Sequence, residues 1–259
     1  MKKDQKNVCI IQARMSSSRL PGKVLEEICG RPMLYWVASR ARKANCIDDL
    51  VVATTTDAAD DPIAEWCESN EINCYRGDVF DVLDRYYQAA KKWQADIIIR
   101  LTADCPLMDP GLIDLVVEKF LEGEVDFAAN RLPPPFKRTY PIGLDIEVAS
   151  FKALETAWKD ADLPFEREHV LPYLYSVEGR FKTLVLDADA DQGSRRWTVD
   201  TPDDLEFIRA LFNKKQCHVD LSWKEILRFL DENPELEQIN DGIVHKTYRD
   251  VDSRSKLQK

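Results

Sequence analysis

Short β-branched apolar runs alternate along the chain with longer segments whose apolar residues recur every three to four positions. Runs of the first kind suit strands buried on both faces, and segments of the second kind suit crossover helices. The alternation therefore predicts an α/β fold with a doubly wound, mostly parallel sheet. "VCIIQA" (8–13) reads as the first strand. "MLYWVASRARKA" (33–44) reads as the first crossover helix, with Leu34, Val37, Ala38 and Ala41 on one face and Pro32 where a first turn tolerates it. Strands follow at "DLVVATT" (49–55), "INCYRG" (72–77), "ADIIIRLTAD" (95–104) and "VDFAAN" (125–130). Helices at 57–70, 81–94 and 111–123 separate them, the last opened by Pro110.

Beyond residue 130 the rhythm changes. "NRLPPPFKRTYPIG" is too rich in proline for a central strand and begins an excursion over residues 130–180. Within and after it, "LDIEVAS" (144–150) reads as a strand, and "FKALETAWKDA" (151–161) and "FEREHVLPYLYSVEG" (165–179) as helices. "FKTLVLDA" (181–188) and "RRWTVD" (195–200) read as further strands. The latter runs into a helix over 201–215, which Thr201 can cap with Pro202 at its first position. Residues 1–215 are expected to form one ligand-binding domain, and residues 216–259 a helical extension whose tail, "VHKTYRDVDSRSKLQK", is polar and frayed.

The 259 residues are 44% hydrophobic, enough for a substantial core. The formal net charge of −10 argues against a broad nucleic-acid surface, which needs an extended basic field. No stretch approaches the roughly 20 apolar residues that span a bilayer, and the apolar run before Gln12 is too short for a signal segment. A cytoplasmic protein with no membrane partner is expected. The seven cysteines include no CxxC pair, so neither a disulfide framework nor a zinc ribbon is expected, and most should be reduced.

Against this acidic background "QARMSSSRLPGK" (12–23) stands out, because Arg14, Arg19 and Lys23 gather in a serine-rich turn. In an open α/β sheet, ligands bind beyond the carboxyl ends of the strands where strand order reverses. The loop, "TTTD" (54–57), Arg76–Asp78 and "TADCPL" (102–107) all follow expected strands and can converge there. Backbone amides around Ala13, Ser17 and Gly22 suit phosphate oxygens, and the cations neutralise them. A solvated basic loop is the plainer alternative. The spacing is not that of a Walker motif, since Val24 follows Gly22-Lys23, and no GxGxxG follows the first strand. Asp104 and Asp200, each at an expected strand end, would give Mg²⁺ the one or two carboxylates that it takes beside phosphate oxygens; alone, either reads equally well as a turn or cap residue.

The loop resembles the signature of cytidylyltransferases that activate acidic sugars, such as the 3-deoxy-manno-octulosonate and acylneuraminate enzymes. "IIQAR", "LTADCPL" and "REHVLPY" are most similar to the spore-coat polysaccharide biosynthesis protein SpsF group. The resemblance spans residues 7–215 and implies a Rossmann-like nucleotide-diphospho-sugar transferase fold, a homodimer, and CTP with Mg²⁺. It implies that Arg14, Arg19 and Lys23 hold the CTP phosphates, that Asp104 and Asp200 hold the metal, and that Arg76 lies by the base. Arg14, Arg19, Lys23 and Asp104 are then the expected catalytic set. Gln12 stands where the family usually has proline, and Ala103-Asp104-Cys105 departs from the octulosonate pattern.

For a small anionic acceptor, Arg138 and Arg167 supply cations, Asp145 and Glu147, expected on one strand face, can bind hydroxyls, and His169 can be a ligand contact or a structural histidine. The expected activity is transfer of CMP from CTP to an acidic sugar, or to a phosphorylated or phosphonylated molecule, with release of pyrophosphate in surface polysaccharide synthesis. Two other classes stay open: a nucleotide-binding module without turnover, and a glycosyltransferase, for which "DADAD" (187–191) is the prompt.

Overall fold

A computed structural model describes residues 5–133 and 136–244. Strand β1 (Asn7–Gln12) runs into the basic loop, which ends in a 3-10 turn at Lys23–Leu25. A small hairpin, β2 (Glu27–Ile28) and β3 (Arg31–Pro32), leads into α1 (Met33–Ala41). Then come β4 (Asp49–Thr55), α2 (Asp61–Ser69), β5 (Asn73–Gly77), α3 (Val82–Lys92), β6 (Ile97–Thr102) and α4 (Pro110–Glu122). The second part holds β7 (Phe127–Ala129), β8 (Glu147–Ser150), α5 (Phe151–Asp160), α6 (Pro164–His169), α7 (Pro172–Tyr175) and β9 (Thr183–Val185). The chain continues through α8 (Pro202–Lys214) and α9 (Trp223–Glu232).

The seven-stranded sheet has the order β5-β4-β1-β6-β8-β7-β9. β1 is parallel to both β4 and β6, and only β8 runs against its neighbours, so the sheet is doubly wound and mostly parallel, as the sequence predicts. The apolar run of β1 is explained by burial on both faces. Cys9 and Ile11 join a core with α1, α4 and α8, whereas Val8 and Ile10 join another with α3 and α5. From β1 the chain moves outward to β4 and β5, then returns to β6 on the other side. The order thus reverses between β1 and β6, and their carboxyl ends frame a crevice.

Past β6 the predicted strands are shorter than expected, each for a local reason. Residues 144–146 wrap around the Asn130 side chain, which donates to Leu144 O and accepts from Ile146 N, so β8 begins only at Glu147. Asp145 consequently does not share a strand with Glu147. The segment 195–200 forms no strand: Trp197 N donates to Ile142 O while Val199 N donates to Asp104 O, so its backbone changes partner before a ladder can grow. The expected helix at 165–179 divides at Val170 (φ 73°), with Pro172 opening α7, because a proline ring cannot sit in a helix interior.

Beyond α8, Ser222 and Glu225 form a capping box for α9, whose Ile226 and Leu230 enter the same core as Leu211 and Phe212. The buried Arg40 guanidinium ties the intervening segment down by donating to the carbonyls of Met108, Val219 and Leu221. Cys29 and Cys217, 188 residues apart, form a disulfide, a correction to the expectation of no disulfide framework; Cys9, Cys46, Cys67, Cys74 and Cys105 are free. Both bonded cysteines sit in tight turns that no spacing rule signals. Residues 245–259 of the expected frayed tail lie outside the described residues. Among those described, no helix is long and apolar enough to cross a membrane.

Candidate active site

The basic loop is fastened at three points. Ala13 N donates to Ala53 O at the end of the sheet, Met15 N donates to Asp60 Oδ1 at 2.7 Å, and Gly22 N closes the turn on Met15 O at 2.8 Å. Gly22 takes φ 75°, a left-handed conformation that suits glycine, and so turns the chain into the short helix that buries Lys23.

Lys23, only 8% exposed, joins the turn that follows β6 to the segment that precedes α8. Its Nζ donates to Asp104 Oδ2 at 2.8 Å, Asp200 Oδ1 at 2.9 Å and Val199 O at 2.7 Å. Burial alone would lower the pKa of this ammonium, but Asp104 and Asp200 outweigh it and hold the group above the ordinary lysine value. The second oxygen of Asp200 meets Arg19 Nη2 and Arg196 Nη2, each at 3.0 Å. Burial opposes ionisation of Asp200 too; Lys23, Arg19 and Arg196 overcome it and hold its pKa at about 2.

Behind this cluster stands a layer that fixes Asp200. Fully buried Asp204 receives Arg196 Nε and Nη2 at 2.8 Å each, the backbone amides of Asp200 and Thr201, and Asn240 Nδ2. It is also the third residue of the Thr201 capping box, so one carboxylate both starts α8 and aims Asp200. Removing one side of a buried ion pair of this kind costs about 3–5 kcal/mol. The segment 195–199 can lie this close to the preceding loop because Gly143 (φ 107°) has no side chain; a Cβ there would come within 2.6 Å of Thr198 N.

Arg14, Ser17, Arg19, Lys23, Asp104 and Asp200 all line one polar cleft of about 250 Å³ at the β1–β6 switch point. Cationic loop and paired carboxylates in one cleft suit a polyphosphate bound with a divalent cation. Ala13 does not line the cleft but is buried in the core beneath the sheet's end, and Gly22 forms the turn before Lys23.

Other expected site residues are placed elsewhere. Arg76, at the end of β5, spends its guanidinium on Thr55 O (2.7 Å), Asp57 O (2.9 Å) and Asp61. Arg138 and Asp145 form a two-pronged pair, with Arg131 Nε 3.8 Å from Asp145. Glu147 receives Arg100 Nη1 at 2.6 Å, while Arg100 Nη2 reaches Gln12 Oε1 at 3.3 Å. Cys105 joins the two regions: burial raises its thiol pKa, and Asp104 and Asp145 are both near enough to add to the rise. Arg167 is not in this group. It forks onto Asp81 and donates to Trp158 O, holding α6 against the start of α3. His169 is half-buried at the end of α6. Of "DADAD", Asp189 and Asp191 pair with Lys224 and Lys137 in an exposed turn, while Asp187 accepts from Thr139.

Sequence reasoning missed Arg196, Asp204, Arg100 and Arg85. Arg196 stands four residues before Asp200, and four more lead to Asp204, a spacing that could have marked the triad. Nothing local marks Arg100 or Arg85, whose surroundings come from several strands.

The cytidylyltransferase family profile matches residues 8–227. An uncharacterised protein of Methanocaldococcus jannaschii is 38% identical over 95% of this chain and 99% of its own length. Spore coat polysaccharide biosynthesis protein SpsF of Bacillus subtilis is 30% identical over 87% of this chain and 94% of its own. The solved structure of a cytidylyltransferase from Leptospira borgpetersenii superposes with a TM-score of 0.85 at 34% identity, covering 93% of this chain and all of that one. The sheet is that of the Rossmann-like nucleotide-diphospho-sugar transferase fold. With the match running from β1 through the basic loop and both aspartates into α9, the chain belongs to the cytidylyltransferase family and is a nucleotidyltransferase.

Proposed function

We propose that the protein transfers the cytidylyl group of CTP to an oxygen of a small anionic acceptor, an acidic sugar or a phosphorylated or phosphonylated molecule, in the synthesis of a surface polysaccharide. The observation that carries this reading is the convergence of Arg14, Arg19 and Lys23 with Asp104 and Asp200 on one cleft. The acceptor oxygen bonds to the α-phosphorus as the bond from that phosphorus to the bridging oxygen breaks. Pyrophosphate leaves with the electron pair, and the acceptor proton passes to solvent.

The residues present fit Mg²⁺. Asp104 and Asp200 offer hard oxygen donors, and the Lys23 ammonium already bridges them at 2.8 and 2.9 Å, so the pair is spaced to share one cation. Among the described residues no group of three or more His, Cys, Asp or Glu could hold a metal, so an ion here would complete its shell with phosphate oxygens and water. When bound, Mg²⁺ would neutralise charge on the phosphates. The chain's own residues orient and stabilise: Arg14 and Arg19 hold the triphosphate, Lys23 is placed to exchange a carboxylate for a phosphate oxygen, and Arg196 with Asp204 keeps Asp200 aimed. Preorganised charge of this kind stabilises the transition state without reorganisation.

On the acceptor side, Arg138 can trade Asp145 for the acceptor's anionic group. Pyrophosphate release from CTP and Mg²⁺ across a panel of acidic sugars and phosphorylated or phosphonylated acceptors tests the reading. Stabilisation by CTP with no release for any acceptor would instead mark a nucleotide-binding module, and tighter binding of a nucleotide-sugar than of CTP a glycosyltransferase.

A further inference from the structure

Asp104 and Asp200 share Lys23, but their carboxylates are not equally secured. Asp200 keeps Arg19 and Arg196 on its second oxygen whatever Lys23 does. Among the described residues the Asp104 carboxylate has two partners, Lys23 Nζ on Oδ2 at 2.8 Å and the Cys105 thiol on Oδ1 at 3.5 Å. When Lys23 trades a carboxylate for a phosphate oxygen, the thiol is the contact that still holds the Asp104 side chain.

The direction of the hydrogen bonds around Cys105 follows from a proton count. An ionised carboxylate only accepts, so the thiol proton goes to Asp104 Oδ1. Thr102 Oγ1 lies 3.4 Å from the same sulfur. With the thiol proton spent, the Thr102 hydroxyl donates to the sulfur, and the chain of donors runs from Thr102 through Cys105 to Asp104. Thr102 and Asp104 line the cleft, whereas Cys105 stands behind them, 3% exposed and part of the core with Ala103 and Leu107. Burial and the carboxylates of Asp104 and Asp145 raise its pKa, so the proton stays on sulfur.

The backbone beneath is fixed as well. Asp104 O accepts from Val199 N at 2.9 Å and from Thr198 Oγ1 at 3.2 Å, and Met108 N closes the turn on Cys105 O at 3.1 Å. Rotation of the Asp104 side chain is the freedom that remains, and a carboxylate that rotates must lose that freedom each time it takes a cation. A donor on Oδ1 removes it beforehand and leaves Oδ2 open.

We propose that Cys105 is a positioning residue for cytidylyl transfer: its thiol holds Oδ1 of Asp104 and so leaves Oδ2 for the divalent cation that accompanies the triphosphate. The inference rests on the reading of Asp104 as a metal carboxylate. Groups that orient a ligating carboxylate from behind contribute about 10–100-fold to metal affinity or activity, and a thiol, being a weak donor, belongs at the lower end. Ala103-Asp104-Cys105 is also where the sequence departs from the octulosonate pattern, so a thiol at this place is not carried over from those enzymes.

Calorimetric titration of CTP into the full chain, once with Mg²⁺ and once with EDTA, tests this without turnover, since no acceptor is present. In the wild type Mg²⁺ should tighten CTP binding, because it neutralises charge between the phosphates and the two aspartates. Cys105→Ala and Cys105→Val, the second of which fills the space without a donor, should each lose about 10-fold of CTP affinity with Mg²⁺ and keep the wild-type affinity in EDTA. Cys105→Ser, which restores a donor, should recover the wild-type response to Mg²⁺. Melting temperatures lowered in all three variants, with CTP affinity unchanged under both conditions, would make Cys105 a packing residue and overturn the inference. An equal loss with Mg²⁺ and with EDTA overturns it too, as does a serine variant no better than alanine. Unfolding of all three variants would assign Cys105 to the core and has the same consequence. A wild type whose CTP affinity ignores Mg²⁺ breaks the metal reading of Asp104, and the inference falls with it. A full Mg²⁺ response retained in Cys105→Ala and Cys105→Val breaks only the role of Cys105.

Discussion

Asp200 and Asp145 are both paired with arginine, yet they are held in different ways. Asp200 takes its cations from Arg19 and Lys23 of the basic loop and from Arg196, and its backbone is fixed by Asp204 at the start of α8. The sequence separation between Lys23 and Asp200 is 177 residues, so closing that contact is part of folding the domain. Asp145 draws on Arg138, seven residues away, and on Arg131, both within its own loop. The first arrangement is a fixed frame for charge. The second is a local pair within a single loop.

The largest expected effect is on the frame. Asp104→Ala or Lys23→Ala should lower turnover about 10²–10³-fold while leaving the fold intact, because each removes preorganised charge from the cleft. Pyrophosphate release measured with circular dichroism as a control decides this, and a variant with full turnover would remove that residue from the catalytic set.

Gly143 tests whether the two regions depend on each other. Its backbone lies against Trp197 and Thr198, just before Asp200, at a φ of 107° where a side chain is strained. Gly143→Ala should destabilise the protein by about 4 kcal/mol, the scale of a steric defect in a packed site. Urea unfolding would measure it, and a loss below about 1 kcal/mol would show that the neighbouring segment yields easily. A smaller effect is expected at the other end of α8, where the Cys29–Cys217 bond ties the helix to the β2–β3 turn. Cys217→Ser, or full reduction, should cost about 2 kcal/mol, mainly by freeing the unfolded chain. If the melting temperature is the same with and without reductant, the bond does not brace the frame.

These contrasts also explain what could be read from the chain alone. The parallel half was legible because each strand is buried on both faces and each helix carries one apolar stripe, so periodicity reports the fold directly. The Thr201 cap with Pro202 was legible for the same local reason. Arg14, Arg19, Lys23, Asp104 and Asp200 could be named because each follows or adjoins an expected strand end, and the structure brings all five to one cleft. What stayed hidden depends on tertiary neighbours. Asn130 shortens β8 with its side chain, and Asp104 O takes the Val199 amide that would have continued a strand. Arg167 looked like an acceptor cation because its sequence says nothing of Asp81, 86 residues earlier.

The finest test of the comparison sets Arg138 against Arg167, two arginines in the same excursion with carboxylate partners of similar geometry. Arg138 forms its pair with Asp145 within the loop before β8, whereas Arg167 joins α6 to Asp81 at the start of α3 and also holds Trp158 O. If Asp145 is a partner that the acceptor displaces, Arg138→Ala should raise the acceptor KM about 10-fold and leave the KM for CTP and the melting temperature near wild type, the pattern of a lost binding contact. Arg167→Ala should do the reverse, costing about 1–3 kcal/mol of stability by removing the cation that pairs with Asp81 and the donor to Trp158 O, at an unchanged acceptor KM. Steady-state kinetics over an acceptor series and thermal melts on both variants separate the two roles. An acceptor KM that responds to Arg167 and not to Arg138 would move the acceptor from the Asp145 loop to the α3–α6 face.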